Sequence, residues 1–200
     1  MKFYWWWLII LLLLALTVYL VRRKRKITEK KEFKQKVNTY LRSKFKVKNQ
    51  DYINQLNPAV RKHFENLIED INKLGYDVII TSGYRSFQKQ SELKKADKRN
   101  AAPGFSSHNY GTALDFVLVK DGKMIQKNAP REQWVATGVP DLAKKKYGMR
   151  WGGDFPGYPD HVHFDLNNKY DTKKLYAAAI KKYGSPEKVK GNELDLHGIA

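Results

Sequence analysis

Three of the five histidines lie in two short stretches whose spacing could bind a metal ion. Residues 106–115 read SSHNYGTALD and contain His108 and Asp115, and residues 159–164 read PDHVHF and contain His161 and His163. A histidine at the end of a loop, a carboxylate seven residues later and a distant strand histidine can converge on one cation. Zinc accepts two imidazoles and one carboxylate, which leaves a fourth position open for water.

Asp115 indicates a charged site independently of the histidines. It lies between Leu114 and Phe116 in a stretch that otherwise has the apolar character of a buried strand. An unpaired charge in such a position is costly, because an apolar interior does not solvate it. The sequence therefore predicts a cation or metal ion beside Asp115.

The second histidine stretch predicts one ligand and one candidate base. Side chains alternate along a strand, so His161, His163 and Asp165 should share one face. His163 is the preferred ligand, because Phe164 follows it into the core. Asp160 lies where this strand should begin and could act as a general base on a water molecule. Residues that could instead line the cleft or orient a bound imidazole are His161, Asp154 and Asp165.

The order of three motifs resembles the M15 family of zinc peptidases. These motifs are S-G-Y-R-S at residues 82–86, S-x-H-x6-D at 106–115 and D-x-x-H-F at 160–164. The resemblance extends over about residues 55–170. The family includes D-Ala-D-Ala carboxypeptidases and dipeptidases, and L-alanyl-D-glutamate endopeptidases that cleave peptidoglycan. Residues 151–155, WGGDF, are most similar to the endopeptidase branch.

This resemblance implies a role for each matching residue. The implied zinc ligands are His108, Asp115 and His163. Asp160 matches the catalytic carboxylate, which takes a proton from the attacking water and gives it to the leaving amine. Arg85 matches the arginine that binds the scissile carbonyl oxygen as negative charge develops on it. Ser106 matches a serine that contacts the substrate.

Residues 51–184 should form the folded body that positions these side chains. Asn57 and Pro58 are typical of a helix start, and Gly75 of a helix end. The pattern also predicts strands at 78–81, 112–119 and 161–166, and helices at 87–98, 131–146 and 172–182. We expect an α+β domain with a small central antiparallel sheet flanked by helices, as in the hedgehog and D-Ala-D-Ala peptidase fold. Residues 185–200 are predicted to form a loose tail.

Residues 1–21 are predicted to form a transmembrane anchor. The stretch 3–21 carries no charge, begins with an aromatic group at residues 4–7 and is followed by five basic residues at 22–26. A cleaved signal peptide is the alternative, although no typical cleavage site precedes the basic cluster. Residues 22–50 should form a helical or loosely ordered basic stalk, either a solvated spacer or an attachment to anionic lipids or wall polymers.

Composition excludes several classes of protein. With no cysteine, the chain can form no disulfide scaffold, thiolate zinc finger, iron–sulfur cluster or cysteine nucleophile. The net charge of +18 suggests nucleic-acid binding, but residues 22–50 contain 13 basic and 2 acidic residues, so most of the excess lies in the stalk. No nucleic-acid-binding motif is present, and we expect a monomer that does not bind nucleic acid.

These features predict a membrane-anchored zinc peptidase that binds one Zn2+ per chain and hydrolyses peptidoglycan stem peptides. The alternative is a catalytically inactive module that retains the metal and binds peptidoglycan; the presence of Asp160 and Arg85 argues against it. Such a substrate requires the body to lie outside the cytoplasm. The five basic residues after the apolar stretch favour the opposite orientation.

Overall fold

The computed structural model describes the backbone of residues 3–199, and the side chains of these residues except at 3–6, 34, 37, 38, 41 and 42. The chain divides into two compact units, one up to Lys44 and one from Phe45 onward. Helix α1, Phe3–Gln55, forms the described part of the first unit up to Lys44. The last residues of this helix, from Phe45 onward, belong to the second unit. The stalk predicted at 22–50 is therefore helical, which is one of its two predicted forms.

The second unit has the predicted α+β architecture, built on a five-stranded antiparallel sheet. Its strands are β1 (Asp77–Ser82), β2 (Ala113–Lys120), β3 (Lys123–Ile125), β4 (Arg150–Trp151) and β5 (His163–Asp165). Their order is β1-β2-β5-β4, and β3 pairs with β2 through the tight turn at Asp121 and Gly122. Strand β2 is central, and it pairs with β1, β3 and β5.

Helices cover this sheet and complete the core. They are α2 (Pro58–Lys73), α3 (Phe87–Ala96), α4 (Arg131–Val135), α5 (Val139–Tyr147) and α6 (Thr172–Tyr183). Helix α2 begins as predicted, with the Asn57 side chain accepting a hydrogen bond from the Ala59 amide. Its buried face consists of Val60, Phe64, Leu67 and Ile71. The stacked rings of Phe116 and Phe164, 4.5 Å apart, join β2 to β5 within the core.

Two predicted elements differ from the structure. The single helix predicted at 131–146 is broken into α4 and α5, because Gly138 adopts a left-handed conformation and Pro140 starts a new first turn. Strand β5 begins only at His163, so His161 lies in the preceding turn and not on the face shared by His163 and Asp165. Asp115 pairs directly with His163 across β2 and β5.

The prediction of a loose tail at residues 185–200 is wrong for the residues described. Val189, Leu194 and Leu196 are buried in the core with exposed fractions of 3–6%. Two short 3₁₀ turns, Pro186–Lys188 and Gly191–Glu193, shape this segment. Polar residues lie between these apolar ones and give the segment the composition of a tail. The segment is also too short and irregular to show the periodicity of a helix or a strand, so the sequence does not predict its burial.

The predicted transmembrane anchor at residues 1–21 is not supported. Among the residues that the structure describes, no helix has a stretch long and apolar enough to cross a membrane. The side chains at 4–6, predicted to form most of an aromatic belt, lie outside the described residues.

The burial of the C-terminal segment can be tested with two leucines. Leu194→Ala should lower the free energy of unfolding by about 2–5 kcal/mol, because it removes a fully packed side chain. Leu74→Ala is the matched control, since Leu74 is 44% exposed, and it should change stability by no more than about 0.5 kcal/mol. Urea unfolding of both variants measures the difference. Equal effects at the two positions would contradict the packing described here.

Candidate metal centre and active site

Pairing of β2 with β5 brings three candidate ligands together. Asp115 on β2 lies directly opposite His163 on β5, and the short 3₁₀ helix Ser107–Tyr110 carries His108 to the same place. Asp115 Oδ1 is 2.9 Å from His163 Nδ1 and 3.1 Å from His108 Nε2, and these two nitrogens are themselves 3.1 Å apart. The structure therefore assembles the three side chains that the sequence placed far apart.

Hydrogen bonds on the far side of each ring fix how the histidines face this cluster. The Nδ1–H group of His108 donates to the carbonyl oxygen of Gly83 at 2.6 Å, and the Nε2–H group of His163 donates to Asp165 Oδ2 at 2.8 Å. The opposite nitrogens, Nε2 of His108 and Nδ1 of His163, then face Asp115, and each can offer a lone pair to a metal ion when it carries no proton. One ligand atom from each residue lies within 4.8 Å of the others, so the group could hold a metal ion.

Asp165 links His163 to a second charged residue. Its carboxylate is 1% exposed and forms two hydrogen bonds with the Arg150 guanidinium, at 2.8 and 2.7 Å. The Ser107 hydroxyl also donates to it, at 3.3 Å. Burial raises the pKa of Asp165, but the bonds from His163 and Arg150 outweigh burial and lower it overall. Asp165 thus remains ionised and orients the His163 ring.

The cluster favours positive charge at its centre. Burial lowers the pKa of His163, but the hydrogen bonds to Asp115 and Asp165 outweigh it and raise the pKa to about 10. Burial also raises the pKa of Asp115, whereas its interactions with His108 and His163 bring it well below the usual range. Two buried carboxylates on either side of one imidazole produce a negative potential, which stabilises a cation between them.

Arg85 lies beside the cluster and is held from two sides. Its guanidinium donates to Gln90 Oε1 at 2.8 Å and to Ser82 Oγ at 3.1 Å, and its Nη2 is 3.9 Å from Asp115 Oδ2. Burial lowers the pKa of Arg85, while the charges of Asp115 and Asp160 act to raise it. Arginine remains protonated under these conditions, so Arg85 presents a fixed positive charge at the edge of the cluster.

Asp160 has one paired and one unpaired carboxylate oxygen. Its Oδ2 accepts a hydrogen bond from Lys127 Nζ at 3.3 Å. Its Oδ1 is buried and has no hydrogen-bond partner among the described residues. Such an atom is unusual, because buried polar atoms normally have a partner. An oxygen free to accept a proton, three residues before His163, has the position expected of a general base.

Three other predicted residues differ in their surroundings. Ser106 is half-buried and directly precedes the short helix that carries His108. The ring of His161 stacks on Trp151, with centroids 5.7 Å apart. Asp154, suggested as an orienting partner of an imidazole, instead pairs with two cations of the surface, Arg131 and Lys144.

Sequence reasoning missed several residues that hold the site. Asp165 was weighed only as a possibility, although its position two residues after His163 on a strand was the available signal. Lys127 and Arg150 carry no signal, because each reaches its carboxylate partner from another segment through a long side chain. Gln90 is only five residues after Arg85, but it belongs to no motif. The carbonyl of Gly83 could not be foreseen, since any residue offers one.

Comparison with known proteins identifies the family of this chain. A model of the M15 peptidase family, described as D-alanyl-D-alanine carboxypeptidase, matches residues 99–166. The peptidoglycan L-alanyl-D-glutamate endopeptidase CwlK of Bacillus subtilis strain 168 is 35% identical over 126 residues, which cover 56% of this chain and 73% of CwlK. The chain belongs to the M15 peptidase family. The prediction of a peptidase is therefore confirmed.

Other proteins resemble this M15 peptidase over similar regions. The L-alanyl-D-glutamate peptidase of Listeria phage A118 is 30% identical over 118 residues, which cover 58% of this chain and 40% of the phage protein. The crystal structure of the L-Ala D-Glu endopeptidase ChiX of Serratia marcescens matches with a TM-score of 0.46 and 20% identity. The matched region covers 58% of this chain and 84% of the ChiX chain.

The orienting role of Asp165 in this M15 peptidase can be tested by metal binding. Asp165→Asn retains the shape of the side chain but loses the charge that holds His163 and Arg150. We expect the affinity for added Zn2+ to fall about 10–100-fold, as measured by competition with a chromophoric chelator. Asp141→Asn is the control, because Asp141 is an exposed partner of Lys145. Unchanged affinity in a folded Asp165→Asn variant would contradict the role.

Proposed function

We propose that this M15 peptidase hydrolyses a peptide bond in peptidoglycan stem peptides, between L-alanine and D-glutamate. The names of the two relatives described above, from Bacillus subtilis and Listeria phage A118, support cleavage at this bond. Cleavage of D-Ala-D-Ala is a second candidate, which the description of the matching family model supports. The observation that carries the proposal is the convergence of His108, Asp115 and His163 beside Asp160 and Arg85.

We propose His108, Asp115 and His163 as ligands of one Zn2+ ion. Two neutral imidazole nitrogens and one carboxylate oxygen are a donor set that zinc prefers, and three protein ligands are typical of a catalytic zinc site. When bound, Zn2+ supplies Lewis-acid polarisation of a carbonyl oxygen and lowers the pKa of a water molecule toward neutrality. The bonds from His108 to Gly83 and from His163 to Asp165 fix the rings in the orientation this requires.

Asp160 is the proposed general base. Its unpaired Oδ1 would accept a proton from the attacking water as the water oxygen bonds to the scissile carbonyl carbon. The same oxygen would return that proton to the amine nitrogen as the carbon–nitrogen bond breaks. Lys127 is bonded to Oδ2 and leaves Oδ1 free for this transfer.

Arg85 is proposed to stabilise negative charge on the carbonyl oxygen. Its bonds to Gln90 and Ser82 hold the guanidinium in place before substrate binds, so little reorganisation accompanies the reaction. Ser106, half-buried at the start of the helix that carries His108, is proposed to contact the substrate backbone. A module that binds peptidoglycan without cleaving it would have no use for either Asp160 or Arg85.

Peptidoglycan fragments provide the direct test. Wild-type protein with Zn2+ should release products whose masses identify the L-Ala-D-Glu bond, and a chelator should abolish their release. Asp160→Asn should lower kcat about 10²–10⁴-fold, because it removes the proton acceptor, while the affinity for Zn2+ stays the same. Mass spectrometry of the products over time identifies the bond and measures the rate, and competition with a chromophoric chelator measures the affinity for Zn2+.

The control for this experiment is Asp154→Asn, which removes a nearby carboxylate that pairs only with cations outside the cluster. It should retain full activity. Products that correspond to loss of D-alanine would favour the carboxypeptidase activity. Stoichiometric binding of Zn2+ without any cleavage would contradict the proposal and favour the binding module.

We also propose that the body acts outside the cytoplasm, attached to a membrane surface through α1. Peptidoglycan lies outside the cytoplasm, which supports this location. The apolar side chains from Leu8 to Val21 are exposed, and the basic residues 22–26 follow them. Apolar side chains beside a basic cluster are suited to an anionic lipid surface.

Protease accessibility tests this location. In spheroplasts of cells that express the full chain with a C-terminal epitope tag, added protease should remove the tag without lysis. A cytoplasmic protein measured in the same samples serves as the control for intact membranes. Protection of the tag until the cells are lysed would place the body inside, as the charge bias near residues 22–26 favours.

A further inference from the structure

The C-terminal strap, Val189–Leu196, does more than fill the core. Its apolar residues are buried, and two hydrogen bonds join it to residues far away in the sequence. Asn57 Nδ2 donates to the carbonyl oxygen of Leu194 at 2.8 Å, and Asn192 Nδ2 donates to that of Gln55 at 3.0 Å. These bonds fix the strap against the junction of α1 and α2.

Gly191 brings the strap into direct contact with the helix that carries His108. A Cβ atom built at Gly191 would lie 1.9 Å from the carbonyl oxygen of Asn109 and 3.1 Å from Tyr110 Cδ1. Real Cβ atoms do not approach backbone atoms this closely. Gly191 also has no positive φ angle, so glycine is needed here for space and not for backbone conformation.

Asn109, on the other side of this contact, connects two parts of the active site. Its side chain is fully buried, and its Nδ2 donates to the carbonyl oxygen of Arg85 at 2.8 Å, while its Oδ1 accepts from the Gly104 amide at 3.0 Å. The amide of Arg85 in turn donates to the carbonyl oxygen of His108 at 3.0 Å. The backbones of Arg85 and His108 are therefore fixed to each other beside Gly191.

The strap also lies close to the Arg85 segment. Burial raises the pKa of Tyr84, the residue before Arg85, and the nearby backbone of Gly191 acts to lower it. Gly191 thus lies beside both the segment that carries His108 and the segment that carries Arg85. A displacement of the strap would move the two segments together relative to Asp115 and His163, which are held by the sheet.

We propose that the strap is a positioning element of the active site, which seats His108 and Arg85 against Asp115 and His163. This inference rests on the proposed function, because the geometry it maintains is that of the metal ligands and the arginine. The strap reaches no reacting atom, and it acts through Asn109 and Tyr84. Small shifts at supporting residues of this kind are known to weaken metal binding and catalysis.

The test replaces Gly191→Ala in the full chain. The added methyl group must displace the Asn109 carbonyl, so the affinity for Zn2+ should fall at least about tenfold, and kcat should fall more than KM rises. Gly198→Ala is the matched control: it strains a glycine with a φ of 78° in the same terminal region, but nothing lies within 4 Å of its added Cβ. It should bind Zn2+ as the wild type does.

Thermal unfolding with a chelator present separates positioning from simple stabilisation. If the strap only stabilises the fold, Gly191→Ala will lower the unfolding temperature but leave the Zn2+ affinity of the folded protein unchanged, which would overturn the inference. Should this variant fail to fold, Asn192→Ala removes only the bond to Gln55, and it should cause a smaller loss of affinity. Wild-type protein that binds no Zn2+ would instead refute the proposed function.

Discussion

The antiparallel register between β2 and β5 is the constraint on which the site depends. It sets Asp115 opposite His163 and Leu114 opposite Phe164, so that one face of the pair holds charge and the other holds the core. The stacking of Phe164 on Phe116 fixes this register from the apolar side. A slip of one residue would turn Phe164 toward the cluster and His163 into the core, and both exchanges are costly.

Burial of so much charge is tolerated because opposite charges alternate. Arg85, Asp115, His163, Asp165 and Arg150 follow one another through contacts of 2.7–3.9 Å, and each carboxylate lies between basic groups. Removing one member would leave its neighbours buried with less compensating charge than they have now, which is destabilising. This alternation of opposite charges holds the side chains of the site in place before a substrate binds. Such preorganisation is the condition for electrostatic catalysis.

The parts of this arrangement that the sequence predicts are those with local signals. Asn57 and Pro58 mark the start of α2, the turn at residues 121–122 marks the end of β2, and the polar residues within apolar strands identify Asp115 and His163. The break between α4 and α5 was missed, because the helical period continues across Gly138. The strap was missed for a different reason: Gly191 is required only by the position of Asn109, and that contact joins residues 82 positions apart.

The residues of the candidate site differ in the kind of element that holds them. His108, Asp115 and His163 lie on the sheet or on a helix bonded to it, whereas Asp160 and Lys127 lie in loops at residues 155–162 and 126–130. The candidate ligands are therefore held by regular structure, whereas the candidate base lies in the kind of segment that usually contacts substrates. Asp160 is anchored even so, because its backbone amide donates to the carbonyl of Gly152, and a Cβ atom at Gly152 would meet Asp160 at 2.3 Å. The contact with Gly152 therefore fixes the backbone of the proposed base within an otherwise irregular segment.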